Sequence, residues 1–441
     1  MRELREFLHS YFGRARDEAG VALLVVLTVI AVLTTTVVEF AYSSRVSLHL
    51  AANSRDTLRT EYLAYSAFNI SRLILHFQSV MEQQMKAISQ SIPPEFRMLL
   101  GPLANFQLWK IFPSNSSALR GIAMSGLNSL ELSDRLSEED DEEMRVSGIG
   151  EFDGDFEWEI DDENRKINLS CLRANPYTPS REITIEQLMR LFLPARYNFL
   201  FENRDADGQY TNRYELIAAL IDWQDPDTTA WDVMSNLPST ASEDSYYQNL
   251  TPQYKAKNAP FDTLMELHLI RGVGDTFFRI FSDMLTVYRC DPQTILNVTT
   301  SNRETILATL CAIFKDPQMF NERRLLGCDD PSGYSTRIFW EEFDKWRETA
   351  YLQMATQQQT IDPKMVASMP ITFNEIVGFL DSQRIAFPRD VLGYTPDKVL
   401  ADRATVFKVK AHGYLGEART TITAVIYNQT PGGQIWYFRE D

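Results

Sequence analysis

The sequence predicts an α+β protein in which a long N-terminal helix leads into a small antiparallel sheet, and a large helical domain is inserted into the sheet-bearing unit. Three observations support this fold class. An uncharged, apolar run occupies residues 19–38. Strand patterns with a period of two occur near residue 155 and again after residue 405, whereas the long stretch between them has helical spacing. The first and last strands of one sheet are therefore expected to lie far apart in sequence.

Composition indicates a folded protein and narrows its possible functions. Of the 441 residues, 44% are apolar and 12% are aromatic, which is enough to build a core. The 43 basic and 60 acidic residues give a formal charge of −17, which disfavours binding to nucleic acid. Only five histidines occur, and the motifs HExxH, GxxxxGK(S/T) and GxSxG are absent from the sequence. We therefore predict no catalytic residue and no enzymatic activity.

The N-terminal segment has the length and composition of a membrane span. No charge occurs from Ala19 to Val38, and at ~1.5 Å per residue this run covers ~30 Å, the thickness of the hydrocarbon core. A cleaved secretory signal is the alternative, but its apolar core is usually shorter, about 7–15 residues. Arg14 and Arg16 precede the run, so the N-terminus is expected in the cytoplasm and the rest of the chain outside it. We predict a transmembrane helix at Val21–Val38.

The same helix is predicted to continue beneath the soluble part of the protein. Apolar residues recur over residues 48–77, mostly at steps of three, four or seven, which is the spacing of an amphipathic helix. Pro93-Pro94 would stop this helix. The pattern therefore predicts one helix from Val21 to about Ser89.

Acidic residues crowd into residues 138–163, where fourteen acids accompany a single base. The block Glu138–Glu143 is predicted to be a solvated loop because six like charges repel one another. From Glu151 to Asp161 every odd position is acidic, while the even positions are mainly aromatic or aliphatic. A half-buried strand with an acidic outer face explains this alternation, followed by a turn at residues 162–165 that leads into residues 166–169.

The C-terminal residues predict the other strands of the sheet. Val406–Lys410 and Thr420–Tyr427 are rich in β-branched residues and flank a turn that contains glycine. Pro431-Gly432-Gly433 then turns the chain into a last short strand, Ile435–Phe438. Between the two groups of strands, helical spacing predicts helices at Ile185–Phe192, Asn212–Asp222, Asp262–Ile270, Asp275–Leu285, Asn302–Phe314, Ile338–Met354 and Phe373–Gln383.

Two groups of oxygen-bearing side chains could hold a calcium ion. They are Asn203, Asp205, Asp207 and Glu215 in the first group, and Asp222, Asp225 and Asp227 in the second. The alternation in the first group is that of a calcium loop, except that its closing acid comes one residue late. The alternative is that each side chain caps a helix or a turn. The residues alone leave calcium binding and capping equally open.

A glycine turn at Leu269–Asp275 resembles the turn of a helix-hairpin-helix unit. In DNA-binding versions the backbone amides of this turn contact phosphate, usually with basic residues nearby. Here Arg271 and Arg279 are the only local bases, and Asp275 follows the turn directly. We therefore favour a hairpin that packs inside the protein.

The chain has four cysteines, at positions 171, 290, 311 and 328. An even number in a domain that faces outside the cytoplasm predicts disulfides. Three pairings are possible, and we predict that Cys290 pairs with Cys328.

The N-terminal leader and several internal strings resemble the K-type minor pseudopilins of the type II secretion system. The apolar run begins abruptly at Gly20-Val21-Ala22-Leu23-Leu24 behind a charged leader, as it does in prepilins. The fifth residue after Gly20 is Val25, where most prepilins carry Glu and K-type subunits typically do not. Further strings that match, in the order of the family, are residues 164–169, 221–227, 258–267 and 295–299.

This resemblance implies that a prepilin peptidase cleaves between Gly20 and Val21 and leaves the apolar helix on the mature protein. It also implies a type IV pilin-like fold with a large inserted helical domain. The chain is then divided into a leader (1–20), an N-terminal helix (21–92, with 21–38 in the inner membrane), a pilin-like α/β domain (93–171 and 401–441) and the inserted domain (172–400).

In function, the resemblance implies a subunit at the tip of the pseudopilus that starts or caps its assembly and supports protein export across the outer membrane. Its partners would be the I-type and J-type minor pseudopilins, and its soluble part would lie in the periplasm. Members of the K-type family bind calcium in the helical domain, which favours a structural calcium ion here. Three alternatives remain: a membrane-anchored DNA receptor that uses the hairpin, a minor pilin of a type IV pilus, and an anchored periplasmic hydrolase.

Overall fold

The computed structural model describes residues 2–91, 107–119, 153–173, 178–202, 204, 208, 210–290, 295–354, 369–429 and 432–441. Within the first helix, side chains are described for residues 21–84. Several features predicted from the sequence lie outside the described residues, namely Pro93-Pro94, the acidic block Glu138–Glu143 and the calcium-loop residues Asn203, Asp205 and Asp207.

Helices form both the N-terminal segment and most of the described chain between residues 178 and 382. The α-helices are α1 (Arg2–Ser91), α2 (Leu108–Ile111), α3 (Pro179–Phe192), α4 (Phe199–Glu202), α5 (Arg213–Asp222), α6 (Asp275–Phe281), α7 (Arg303–Ile313), α8 (Phe320–Leu326), α9 (Tyr334–Met354) and α10 (Phe373–Ser382). Short 3₁₀ helices lie at Glu163–Arg165, Leu169–Arg173, Ala195–Tyr197, Glu243–Ser245, Tyr247–Asn249, Leu264–Leu269, Ser282–Met284, Pro317–Met319 and Pro396–Lys398.

The strands build one four-stranded sheet and three two-stranded pairs among the described residues. The strands are β1 (Asp155–Asp162), β2 (Ile167–Asn168), β3 (Thr229–Asp232), β4 (Leu237–Ser242), β5 (Leu285–Thr286), β6 (Leu296–Asn297), β7 (Leu400–Ala401), β8 (Val406–Leu415), β9 (Ala418–Tyr427) and β10 (Gln434–Glu440). The sheet has the order β1-β8-β9-β10 and is antiparallel throughout. Its first strand therefore pairs with a strand that follows about 250 positions later in the sequence, as the insertion hypothesis requires.

Helix α1 has two parts with different surroundings. From Val21 to Val38 its side chains are exposed, and it is the one helix among the described residues that is long and apolar enough to span a membrane. Further along, Ala64, Phe68 and Leu75 are buried against β8 and β9. A Cβ atom at Gly413 would lie only 2.1 Å from a carbonyl oxygen of α1, so the helix and the sheet can approach this closely only at a glycine. The predicted fold class is confirmed.

Strand β1 shows the predicted alternation. Phe156 and Trp158 are buried in the core between the sheet and α1, whereas Glu157 and Glu159 face solvent. The chain turns at residues 163–165, but β2 then pairs in parallel with β5 and makes no ladder with β1. The turn thus directs the chain away from the sheet and into the inserted region.

Two side chains at the end of β1 join the sheet to the inserted region. The Oδ2 atom of Asp162 accepts hydrogen bonds from the Asn297 amide (2.7 Å) and the Thr300 hydroxyl (2.6 Å). The Asn164 side chain accepts from the backbone N–H of Thr405 and donates to a backbone carbonyl next to β6. Because Asn164 precedes the insertion and Thr405 follows it, this hydrogen bond brings the two ends of the insertion together, and β6 pairs with β7 beside them.

The disulfides differ from the predicted pairing. Cys171 pairs with Cys290, and Cys311 pairs with Cys328, with Cα atoms 5.1 and 5.5 Å apart. The prediction of a Cys290–Cys328 bond is therefore wrong. The pairing of β2 with β5 brings residues 171 and 290 together, and the packing of α8 on α7 does the same for residues 311 and 328. Both are tertiary contacts that cysteine spacing does not reveal.

The inserted region also differs from the predicted run of helices. Residues 229–242 form the β3–β4 hairpin, and residues 264–269 form a 3₁₀ helix where an α-helix was predicted. Helix α6 ends at Phe281, four residues earlier than predicted. The domain boundaries at 171/172 and 400/401 stay predictions.

Candidate metal centre

The structure gives local capping roles to two of the predicted calcium ligands. Glu215 forms a reciprocal pair with Asn212 at the start of α5, in which each side chain accepts the backbone N–H of the other at 2.9 Å. Asp227 is exposed and accepts from the backbone N–H and the hydroxyl of Thr229. Both side chains therefore behave as the capping alternative describes.

Three other carboxylates meet in the interior. Asp222, Asp225 and Glu243 each place one carboxylate oxygen within 4.8 Å of the other two, and each residue is only 6% exposed. The sequence predicted the first two of these residues and missed the third. We call this group the acidic centre. It contains neither histidine nor cysteine, so its ligand atoms are hard oxygens.

Local structure explains why these side chains converge. Asp222 is the last residue of α5, and its Oδ1 atom accepts the backbone N–H of Trp231 on β3 at 2.8 Å. Asp225 follows in the turn after the helix, where its N–H donates to the carbonyl of Ile221. Glu243 comes directly after β4. The β3–β4 hairpin thus returns the chain to the end of α5, and the acidic centre lies where the two meet.

Sequence reasoning missed Glu243 because it treated the whole insertion as helical. The hairpin strand before it, Leu237–Ser242, is mostly exposed and lacks the apolar alternation that predicts strands. The sequence offers only a weak signal for this hairpin, namely two short runs without helical spacing on either side of residues 233–236.

The acidic centre is electrostatically unfavourable as it stands. Burial raises the pKa of Asp222 to about 8, of Glu243 to about 7 and of Asp225 to about 6, and repulsion from neighbouring carboxylates, which for Asp225 is that of Asp227, adds to each shift. Oδ1 of Asp225 and both Oε atoms of Glu243 have no hydrogen-bond partner meeting geometric criteria in the described part of the chain. The nearby Asn258 side chain lowers the pKa of Glu243, but burial raises it by more.

The residues of the acidic centre fit a hard divalent cation. Buried carboxylate oxygens without donors are costly, and a hard divalent cation would satisfy them directly. Calcium takes about six to eight oxygen ligands, so three carboxylates would need help from carbonyls or water. The Oδ1 atom of Asn258, which is buried and has no hydrogen-bond partner in the described residues, is one further candidate.

The glycine turn is the other candidate site predicted from the sequence. Gly272 has a φ of +81°, and a Cβ there would lie 2.6 Å from the Thr211 side chain, so the turn packs against the inserted region. The guanidinium of Arg271 lies 5.3 Å from the ring centroid of Tyr246. The turn therefore packs inward, as we favoured from the sequence.

The fold and the site together define a class: a protein with one apolar N-terminal helix, a small sheet packed on that helix, and an inserted helical region that carries a buried acidic centre. The family model described as "Type II secretion system (T2SS), protein K" matches residues 166–290 of this chain. That segment contains the whole acidic centre. Over this segment the match agrees with the resemblance to K-type minor pseudopilins that the sequence predicted.

A comparison with solved structures finds similarity to a chain in the crystal structure of the GspK-GspI-GspJ complex from the enterotoxigenic Escherichia coli type 2 secretion system. The two chains are 15% identical, and the superposition has a TM-score of 0.39. It covers 74% of this chain and 95% of the other. Among curated proteins, none matches this sequence significantly.

Proposed function

We propose that this chain is a K-type minor pseudopilin, that it forms the tip subunit of the type II secretion pseudopilus, and that it has an assembly role without catalysis. It would be anchored in the inner membrane by Val21–Val38. The rest of the chain after this span, which we call the head, would lie in the periplasm. In this position it would start or cap the filament together with I-type and J-type minor pseudopilins, and so support export across the outer membrane.

The observation that carries this proposal is the apolar surface of α1 beyond the membrane span. Residues 21–38 cover ~27 Å at 1.5 Å per residue, which already accounts for the hydrocarbon core. Yet Leu48 and Leu58, which lie well beyond the span, are 69% and 56% exposed. Lipid cannot cover apolar side chains this far from the membrane, whereas the helices of neighbouring pseudopilins can.

Two further features favour the tip. The span carries no charge at Val25, so it offers no carboxylate to the amine of a subunit below it, and a subunit that is added first needs none. The insertion is large and is fastened to the sheet through Asp162 and Asn164. A head of this size would obstruct a further subunit stacked above it.

Processing is the first test. The full chain is co-expressed with and without a prepilin peptidase, and the mature N-terminus is read by intact mass. We expect cleavage between Gly20 and Val21 only when the peptidase is present. An uncleaved chain, or cleavage by signal peptidase after the apolar run, would contradict the proposal.

Contact with the partners is tested by cysteine crosslinking. All four native cysteines are in disulfides, so an introduced cysteine is the only free thiol. We expect Leu48→Cys to crosslink to a cysteine on α1 of an I-type or J-type subunit. Gln253→Cys, exposed but in the inserted region, is the matched control and should not crosslink. Equal crosslinking at both positions would count against a helix-mediated contact.

The uncharged position is tested by Val25→Glu. A carboxylate buried in the membrane at the fifth mature position would pair with the N-terminal amine of a neighbouring subunit. A tip subunit does not need this contact. We expect impaired secretion of an exported reporter, with Val26→Leu as a control that keeps the span apolar. Normal secretion by Val25→Glu would remove the special role of this position.

We also propose that the acidic centre binds a calcium ion, held by Asp222, Asp225 and Glu243. The ion would supply positive charge that neutralises the three carboxylates. Its role would be structural, because these residues join the end of α5 to the β3–β4 hairpin. The direct test is calorimetric titration of chelator-treated full chain in detergent with calcium, and the absence of binding would refute it.

A further inference from the structure

A buried arginine lies beside the acidic centre. Arg181, in the first turn of α3, is only 2% exposed. Its guanidinium lies 4.3 Å from the ring centroid of Trp231. The backbone N–H of Trp231 donates to Asp222, so a single residue connects the guanidinium to the centre.

The electrostatic contacts of Arg181 agree with this placement. Its strongest attractions are to Asp225 and then Asp222, and they oppose the lowering of its pKa by burial. In return, Arg181 lowers the pKa of Asp225. An arginine side chain stays protonated in proteins, so its positive charge is permanent.

The charges around the centre can therefore be counted. Asp222, Asp225 and Glu243 contribute three negative charges when ionised, and Arg181 contributes one positive charge. Asp227 is exposed and screened by solvent, and Asp244 accepts the backbone N–H of Ala256 and lies 4.0 Å from Lys255 Nζ, so neither is included in the count. The sum over these four groups is minus two, which one divalent cation neutralises.

We propose that Arg181 sets the charge of the acidic centre so that it matches a divalent cation and disfavours a trivalent one. This inference rests on the proposed calcium site. Without the arginine, three carboxylates would suit a trivalent ion better, because a low-dielectric site penalises any charge that is left uncompensated. Arg181 is therefore a residue that determines specificity without contacting the ion.

The test compares calcium with terbium, a trivalent ion of similar size. The full chain in detergent is titrated with terbium, whose emission is sensitised by nearby tryptophan such as Trp231, and calcium then displaces it. The measured quantity is the ratio of the two dissociation constants. In Arg181→Gln, which keeps a planar group without charge, we expect this ratio to move towards terbium by about tenfold.

Two further variants separate charge from packing. Arg181→Lys keeps the charge and should retain the wild-type ratio even if it is less stable. The double variant Arg181→Gln/Asp225→Asn removes one charge of each sign and should return the ratio towards the wild-type value. Folding is checked by circular dichroism in each case. If Arg181→Gln fails to fold but the double variant folds, that rescue itself supports the charge balance.

The outcomes distinguish this inference from the calcium proposal. If the wild-type chain binds neither ion, the metal site itself is refuted and the inference falls with it. If the wild type binds calcium and folded Arg181→Gln keeps the wild-type ratio, the metal site stands and the role of Arg181 is refuted. If Arg181→Gln and the double variant both fail to fold, Arg181 is a packing residue and the inference is equally refuted.

Discussion

Carboxylates on the sheet and carboxylates in the inserted region have opposite surroundings. On β1, Glu157 and Glu159 face solvent, and Lys410 on the neighbouring strand lies 3.7 Å from Glu159. In the acidic centre, Asp222 and Glu243 are buried against another carboxylate. The acid density of the sequence is highest around β1, yet the candidate metal site lies elsewhere. Burial with an excess of negative charge, and not acid density, marks such a site.

Asp162 provides a third setting, buried but hydrogen-bonded, and should show the largest effect. Asp162→Ala leaves the Asn297 amide, the Thr300 hydroxyl and the N–H of Asn164 without their acceptor. We expect a loss of about 3 kcal/mol in the free energy of unfolding, measured by urea denaturation. Asp153→Ala, which removes an exposed acid just before β1, should cost less than about 0.5 kcal/mol. Equal costs would mean that the junction is not held by this carboxylate.

Calcium removal should have the next largest effect. A ligand at about 100 times its dissociation constant adds about 2.7 kcal/mol to stability. For a unit of this size we expect a chelator to lower the melting temperature of the inserted region by roughly 5–10 °C. Differential scanning calorimetry with and without calcium measures the shift, and magnesium in place of calcium is the control. If the chelator leaves the melting temperature unchanged, the acidic centre binds no stabilising ion and resembles the exposed carboxylates of β1 in this respect.

Asp222→Asn separates the effect of the ion from that of the hydrogen bond, because the change in stability should change sign with calcium. The amide keeps an oxygen that can accept the N–H of Trp231, but it removes one buried charge. Without calcium we expect the variant to be as stable as the wild type or more stable, by up to about 1 kcal/mol. With calcium it should be less stable, since the ion loses a ligand. Destabilisation by the same amount in both conditions would indicate a lost structural contact only.

The smallest effect is expected on the sheet. Glu159→Gln removes an exposed charge from a pair with Lys410, and such pairs contribute little. We expect a change of less than about 0.5 kcal/mol, in calcium or in chelator, by the same denaturation assay. A larger, calcium-dependent change would break the contrast between the two regions.

The sequence was sufficient where local pattern and final environment agree. Each pattern that was predicted correctly reflects a single buried face or a single environment. These patterns are the alternation in β1, the β-branched runs of β8 and β9, and the apolar start of α1. The β3–β4 hairpin was not predicted because most of it is exposed and its sequence has no apolar alternation. Glu243 was missed for the same reason, and the disulfides because chain segments far apart in sequence decide which cysteines meet.

The disulfide between Cys171 and Cys290 closes a loop with a sequence separation of 119 that contains the acidic centre and the β3–β4 hairpin. Both the membrane helix and the strands β8 to β10 lie outside this loop. Met234, at the tip of the hairpin, is 75% exposed and so is an accessible site for a protease. A single cut there would leave the two fragments covalently joined. The part of the chain after the cut would therefore stay covalently attached to α1 until the bond was reduced.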